Sequence, residues 1–270
     1  MTTTATPDLR GLLAFALEMA DEADRIALGY YRGELGTTEK ADGTLVTLAD
    51  RAVEARLREL LARRYPDHAI LGEEQGYTAG AGGTDGVGRW ILDPIDGTHG
   101  FARGLPVWGT LIAYEAEGIV QLGVASGPAL GTRWWAARGL GAYRGDTGVA
   151  SHAGQRIHVS GVARIAESHV LNGSMKYALQ RWPNAQAVND LAWRERGYGD
   201  FWAHCLVAEG AAEAMFEHGP NAWDLAALIV ILEEAGGRLT DDQGRAVIDA
   251  GHAISTNGLV HEELLALLRG

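Results

Sequence analysis

The chain has 270 residues, 47% of them hydrophobic, and a formal net charge of −12. That length and apolar share suit one large domain, or two tightly joined lobes, around a real core. The acidic balance argues against nucleic acid or an anionic membrane surface as the main partner, and any anionic substrate must therefore be met by local cations.

The opening MTTTATPDLR lacks the basic-then-apolar pattern of a signal peptide, so a cytoplasmic protein is expected. Residues 7–33 read as a long amphipathic helix with Leu12, Phe15, Ala16, Met19, Ala23, Ile26, Ala27 and Tyr30 on one face. A polar loop, GTTEKADGTLVT, leads to a second helix over residues 48–65, striped by Val53, Leu57, Leu60 and Leu61 and ended by Pro66. HAILGEEQG reads as a short strand and polar turn, AGAGGTDGVG as a Gly-rich surface loop, and RWILD as a strand.

VWGTLIAYEAEGIVQLGVASGPA alternates like a hairpin turning at residues 115–118. RWWAARGLGAYRG predicts another pair of strands, with one of Trp134 and Trp135 facing the core and the other an interface. Its Gly139-Leu140-Gly141 lacks the strand-then-helix context of a dinucleotide loop. RIHVS, HVLNG, WRERGYG and HAISTNG read as strands; FWAHCLVAEGAAEAMFE, AWDLAALIVILEEAGG and HEELLALLR read as helices. No apolar run approaches the roughly 20 residues of a membrane span. The one cysteine, Cys205, falls in an apolar helix as a core residue, which excludes an intramolecular disulfide and a cysteine zinc cluster. The nine histidines show no ligand spacing. Helices, then mostly antiparallel strands, then strand–helix alternation predict an α+β layered sandwich.

Carboxylates gather at the element ends: Glu73-Glu74 after AILG, Asp93 and Asp96 in LDPID, and Asp224 in NAWDLAA. Each has a bland reading. Two adjacent glutamates fit a solvated turn, Asp224 three residues after Asn221 fits a helix start, and Asp50 three after Thr47 has capping-box spacing. DPIDGT is harder to dismiss. Pro94 biases Asp93 toward extended backbone, and Gly97 permits a sharp turn and close approach to a ligand. Asp93, Asp96 and the Ile95 carbonyl form an all-oxygen donor set suited to Mg²⁺, with Mn²⁺ second. Two such ions about 3.5–4 Å apart clamp a phosphoryl displacement, and the N–H groups of Gly97 and Thr98 can hold phosphate oxygens.

GEEQG, WILDPIDGTHGF and AWDLAALIVILEEAGG resemble the three signature segments of the inositol monophosphatase family, and the likeness extends over nearly the whole chain, including KADGTLVTLAD and WWAARGLGAYRG. The resemblance implies a Mg²⁺-dependent phosphomonoesterase with an αβαβα sandwich of the inositol monophosphatase and fructose-1,6-bisphosphatase type, working as a homodimer on a small phosphate monoester through metal-activated water. It implies a single domain over 1–270, with a metal and phosphate lobe at about 1–150 and a substrate-specificity lobe at 151–270. Two or three ions are expected: Glu73, Asp93 and the Ile95 carbonyl on the first, Asp93, Asp96 and Asp224 on the second, and Lys40 in the loop over a weaker third. Thr98, supported by Asp50, would position water, with Glu73 in the catalytic set. His99-Gly100 departs from the family pattern, which puts that loop's packing in doubt.

For the alcohol, the resemblance implies contacts from Asp200, Glu217 and Asp224. An acid at Asp200, where relatives often carry a small or hydroxyl residue, suits a cationic substrate. SGPALGTRWWAARGLGAY and Tyr198-Gly199-Asp200 resemble the bacterial histidinol-phosphate phosphatases of this family, so L-histidinol phosphate is the expected substrate. Asp200 as a simple cap on a helix at Phe201 is the competing reading. An inositol phosphatase, a broad sugar-phosphate phosphatase and a non-catalytic phosphate-ligand binder are the alternatives.

Overall fold

The structure is a computed structural model and describes residues 8–40, 43, 45–81, 88–148 and 153–270. The N-terminal segment, the helix start at Pro7 and residues 82–87 of the Gly-rich loop lie outside the described residues.

Two helices come first, α1 (Leu9–Tyr30) and α2 (Leu48–Arg64), separated by a small ribbon of β1 (Thr38–Glu39) and β2 (Leu45–Val46). Asp8 caps α1 through the Gly11 N–H, and Thr47 with Asp50 forms a capping box on α2. There follow β3 (Ala69–Gly72), β4 (Gly76–Thr78), β5 (Arg89–Asp96), the five-residue α3 (Thr98–Ala102), β6 (Gly109–Ala116), β7 (Ile119–Gly127), β8 (Thr132–Ala137), β9 (Gly141–Asp146) and β10 (Gln155–Arg156). Their strands form one eight-stranded sheet in the order β10-β9-β8-β7-β6-β5-β3-β4, antiparallel except where β3 pairs with β5.

The rest of the chain supplies β11 (His169–Asn172), α4 (Met175–Arg181), α5 (Ala185–Leu191), β12 (Arg194–Arg196), α6 (Asp200–Ala208), β13 (Ala214–His218), α7 (Ala222–Glu234), β14 (Arg238–Thr240), β15 (His252–Thr256) and α8 (His261–Arg269). These strands form a five-stranded sheet ordered β12-β11-β13-β15-β14, with β11 parallel to both neighbours.

The period-two alternation of strands divides the core into three sheets of side chains. On β5, Trp90 and Leu92 join α1 and α2, whereas Ile91 faces α6 and α7. On β13, Met215 joins that same middle layer, whereas Ala214 and Phe216 face α4, α5 and α8. The layers are therefore α1/α2, large sheet, α6/α7, small sheet, and α4/α5/α8, an αβαβα sandwich as expected. Helix α7 is apolar all round because it lies between two sheets; Leu225 to Leu232 are all buried.

Three expectations fail. The strand read over residues 156–160 is confined to Gln155–Arg156. The helix over 201–217 stops at Ala208, and its second half is the strand β13. Gly210, at φ 78°, turns the chain, and the Ala- and Glu-rich segment that follows has helix propensity overridden by burial in the sheet. Trp135 does not face an interface: it is buried in the α1/α2 layer while Trp134 is buried in the α6/α7 layer, because helices cover both faces of the sheet. Cys205 is a core residue, as expected. Among the described residues no helix is long and apolar enough to cross a membrane.

Candidate metal and phosphate site

In a regular strand, residues three apart point to opposite faces, so Asp93 and Asp96 should not meet. They do because β5 carries one extra residue there: Asp93 pairs with Leu111 and Asp96 with Gly109, a bulge that shifts the parity. Pro94 suits a bulge, where its missing N–H breaks no ladder bond, and its carbonyl accepts from the Thr110 hydroxyl at 2.8 Å. Gly97 then takes φ 81°, and a Cβ there would lie 3.0 Å from the Val107 carbonyl oxygen. The chain turns at once into α3, whose first N–H groups have no partner within the helix. The departure from the family pattern is absorbed in this helix. His99 is exposed, and Phe101 is buried edge-on against Trp108 with ring centroids 4.8 Å apart.

Asp224 reaches the same place from the second half of the chain. It is the third residue of α7, and one oxygen accepts from the Asn221 N–H at 2.7 Å. Carboxylate oxygens of Asp93, Asp96 and Asp224 all lie within 4.8 Å of one another. Asp96 also accepts from the Phe201 N–H at 2.7 Å, so a strand-end aspartate of the large sheet caps α6.

Glu73 and Glu74 form the turn after β3. The fully buried Glu54 fixes that turn, accepting from the Glu74 and Gln75 N–H groups at 2.7 and 3.0 Å and from Arg58. Glu54 was not singled out in the sequence; its only signal is an acid on the buried stripe of α2. Lys40 bridges Glu73 at 2.9 Å and Glu74. Glu73 therefore stands beside the compact trio without belonging to it.

Thr98 donates its hydroxyl toward the Ile95 carbonyl at 2.9 Å and toward Asp50 at 3.3 Å. Asp50 makes the contacts that both of its sequence readings require. One oxygen accepts from the Thr47 N–H at 2.8 Å in the capping box, and the other faces Thr98.

The electrostatics are one-sided. Burial first, then repulsion from Glu73, Asp224 and Asp96, holds the Asp93 carboxyl well above its usual range. Burial and the charges of Asp200 and Asp224 do the same to Asp96, against the Phe201 N–H. Asp224 is pushed up to about 6 by burial. Lys40 has its ammonium strengthened, because its hydrogen bonds to Glu74 and Glu73 outweigh burial, yet Glu73 is still raised to about 7 by burial against that pairing. One ammonium is not enough for this many acids. The Oδ1 of Asp93 is buried with no hydrogen-bond partner among the described residues. An orphaned buried carboxylate oxygen in an all-oxygen, all-acidic cluster is the donor set of a hard divalent cation.

Asp200 is not the cap of α6: Gly199 holds the cap position, and the Phe201 N–H goes to Asp96. Asp200 instead sits at φ 57°, a left-handed conformation that aspartate tolerates better than most residues. Its Oδ2 lies 3.3 Å from where a Cβ on Gly97 would be, which places the carboxylate beside the DPIDGT turn. Glu217, on β13, completes the rim. It is bonded at 2.8 Å to His204, a buried residue not singled out in the sequence.

Strand-end and helix-start carboxylates converging on a bulged DPIDGT turn inside an αβαβα sandwich define a class of protein. The family model for the inositol monophosphatase family matches residues 8–270, and the chain belongs to that family. It is similar to histidinol-phosphatase of Mycobacterium tuberculosis, 46% identical over 95% of this chain and 96% of the relative. Histidinol-phosphatase of Streptomyces coelicolor is 40% identical over 97% and 98%. Among solved structures, an IMPase of Thermotoga maritima superposes with a TM-score of 0.81 at 29% identity, covering 96% of each chain.

Proposed function

We propose that this protein is a Mg²⁺-dependent phosphomonoesterase that hydrolyses L-histidinol phosphate to L-histidinol and phosphate. One observation carries the cation: Asp93, Asp96 and Asp224 meet within 4.8 Å, with a buried oxygen of Asp93 unpartnered among the described residues. In this reading Asp93, Asp96 and Asp224 hold two or three Mg²⁺ ions together with Glu73 and the Ile95 carbonyl, and Mn²⁺ can substitute. When bound, the ions supply Lewis acidity and lower the pKa of water.

The chain's own residues do the rest. The N–H groups of Gly97 and Thr98, at the start of α3, orient phosphate oxygens. The Thr98 hydroxyl has its proton directed at Ile95 and Asp50, which leaves its oxygen lone pairs to hold a water proton. Asp50, buried and raised above its usual range by that burial, is the acceptor behind Thr98 for the proton that water gives up. The rim carboxylates of Asp200 and Glu217 select a cationic alcohol through charge-assisted hydrogen bonds, with Asp224 beside them. The similarity to two histidinol-phosphatases supports that choice. A single domain with lobes at about 1–150 and 151–270 belongs to the same proposal; the strands of the large sheet span 69–156 and those of the small sheet 169–256. A homodimer is proposed on the family resemblance alone.

The test is phosphate release with Mg²⁺ over L-histidinol phosphate, inositol 1-phosphate, fructose 1,6-bisphosphate and adenosine 3′,5′-bisphosphate. Histidinol phosphate is expected to have the highest kcat/KM. Equal slow turnover of all four would refute the substrate, and no turnover with Mg²⁺ or Mn²⁺ would refute the enzyme.

A further inference from the structure

The middle helix layer carries a buried hydrogen-bonded chain that none of the cation chemistry uses. His204 is 1% exposed. Its Nε2 lies 2.8 Å from Glu217 Oε1 and its Nδ1 lies 2.7 Å from the Ser255 hydroxyl. The register of the small sheet sets this up. Glu217 pairs with Ala253 and Met215 with Ser255, so Glu217 and Ser255 share the face that α6 covers. His204 follows Asp200 by one helical turn on α6, so one helix delivers both Asp200 and the imidazole.

Chemistry fixes the roles. An ionised carboxylate only accepts, so Nε2 carries the proton that meets Glu217, while the Ser255 hydroxyl, able to donate or accept, meets Nδ1. Glu217 Oε1 is thereby occupied, and among the described residues Oε2 has no hydrogen-bond partner. That oxygen lies over Gly173, where an added Cβ would come within 3.2 Å of it, so the small residue keeps the approach open. Glu217 also stands in the repulsive field of Asp96, Asp200 and Asp224. A glutamate with a free side chain would swing away from those charges. The imidazole N–H holds it in place.

We propose that His204 is a positioning residue for substrate choice: it locks Glu217 so that Oε2 faces a cationic group on the alcohol of the phosphate ester, and the Ser255 hydroxyl anchors the other ring nitrogen. This rests on the reading of Glu217 as a contact for a cationic alcohol.

The experiment measures kcat and KM for L-histidinol phosphate and for inositol 1-phosphate in the Mg²⁺-loaded wild type and in His204→Leu, His204→Gln, Glu217→Gln and the double variant His204→Leu/Glu217→Gln. His204→Leu is expected to lower the ratio of kcat/KM between the two esters about tenfold, mostly through KM for histidinol phosphate. His204→Gln, which keeps a donor near Nε2, restores most of that ratio. In the Glu217→Gln background, His204→Leu lowers it no further. A residue that only fills the core would lower kcat/KM for both esters alike and would act additively with Glu217→Gln; either result overturns the proposal. Should His204→Leu fail to fold, Ser255→Ala takes its place, and an unmoved ratio in that variant overturns the proposal as well. A wild type without preference defeats the substrate reading itself. A preferring wild type that loses its preference in Glu217→Gln but not in His204→Leu defeats only the role of His204.

Discussion

Asp24 and Asp93 are both buried carboxylates, 6% and 1% exposed, and the surroundings of each determine what it is for. Asp24, on α1, meets Arg133 at 2.7 Å and the Ser126 hydroxyl at 2.8 Å; Arg133 also bridges Asp21. Burial still lifts Asp24 to about 6, but a guanidinium built into the fold stands against it. Asp93 meets Asp96 and Asp224 and has Glu73 nearby. In the first case the chain carries its own counter-charge, and the carboxylate locks α1 to the large sheet. In the second the counter-charge has to arrive from solution. Burial of a carboxylate is thus no sign of function; burial among other carboxylates is.

The contrast can be broken at either end. Asp93→Asn is expected to show the largest effect, a loss of at least about a thousandfold in kcat/KM with the fold intact, because the cation loses its central ligand. Turnover within a few fold of wild type would contradict it. Arg133→Met is the complementary change. It strands Asp24 and should cost about 3–5 kcal/mol in urea unfolding, while kcat of the folded fraction is retained. A smaller effect separates two residues of one hydrogen-bonded unit. Thr98→Ala should abolish most turnover at little cost in stability. Asp50→Ala should lose turnover and also about 1 kcal/mol, because only Asp50 closes the capping box on α2. Equal stability of the two variants would show the box to be inert.

Much of this was legible in the sequence because each signal had a local cause. The DPIDGT aspartates, the capping-box spacing of Asp50 and Asp224 and the apolar stripe of α2 depend on near neighbours in the chain. Asp50 offered two competing readings, and one carboxylate makes the contacts of both. What was hidden needed the tertiary fold. Glu54 looks like any helix glutamate until β3 brings the Glu73-Glu74 turn to it. His204 sits in a run that reads as one unbroken helix, and its partners Glu217 and Ser255 come from strands, one of them in the misassigned half of that run. The cap on α6 comes from Asp96, over a hundred residues earlier, so no spacing rule could find it. One of Trp134 and Trp135 was expected at an interface, and both are buried, because one strand cannot show that both sheet faces are covered.

The most direct test is thermal unfolding of chelator-treated wild type and Asp93→Asn, with and without Mg²⁺, from about pH 5 to about pH 8. Asp224 at about 6 and Glu73 at about 7 lie above the ordinary carboxylate range. The folded state therefore holds protons that the unfolded chain has already released, and the chelated protein loses Tm as pH rises through that window. Mg²⁺ competes with those protons, so its gain in Tm should grow with pH in the wild type. Asp93→Asn removes one of the repelling charges. It should start with a higher chelated Tm at about pH 8 and gain little from Mg²⁺. The same Mg²⁺ gain in both proteins, or a chelated wild type whose Tm ignores pH, would contradict the claim that these buried carboxylates exist to receive a cation.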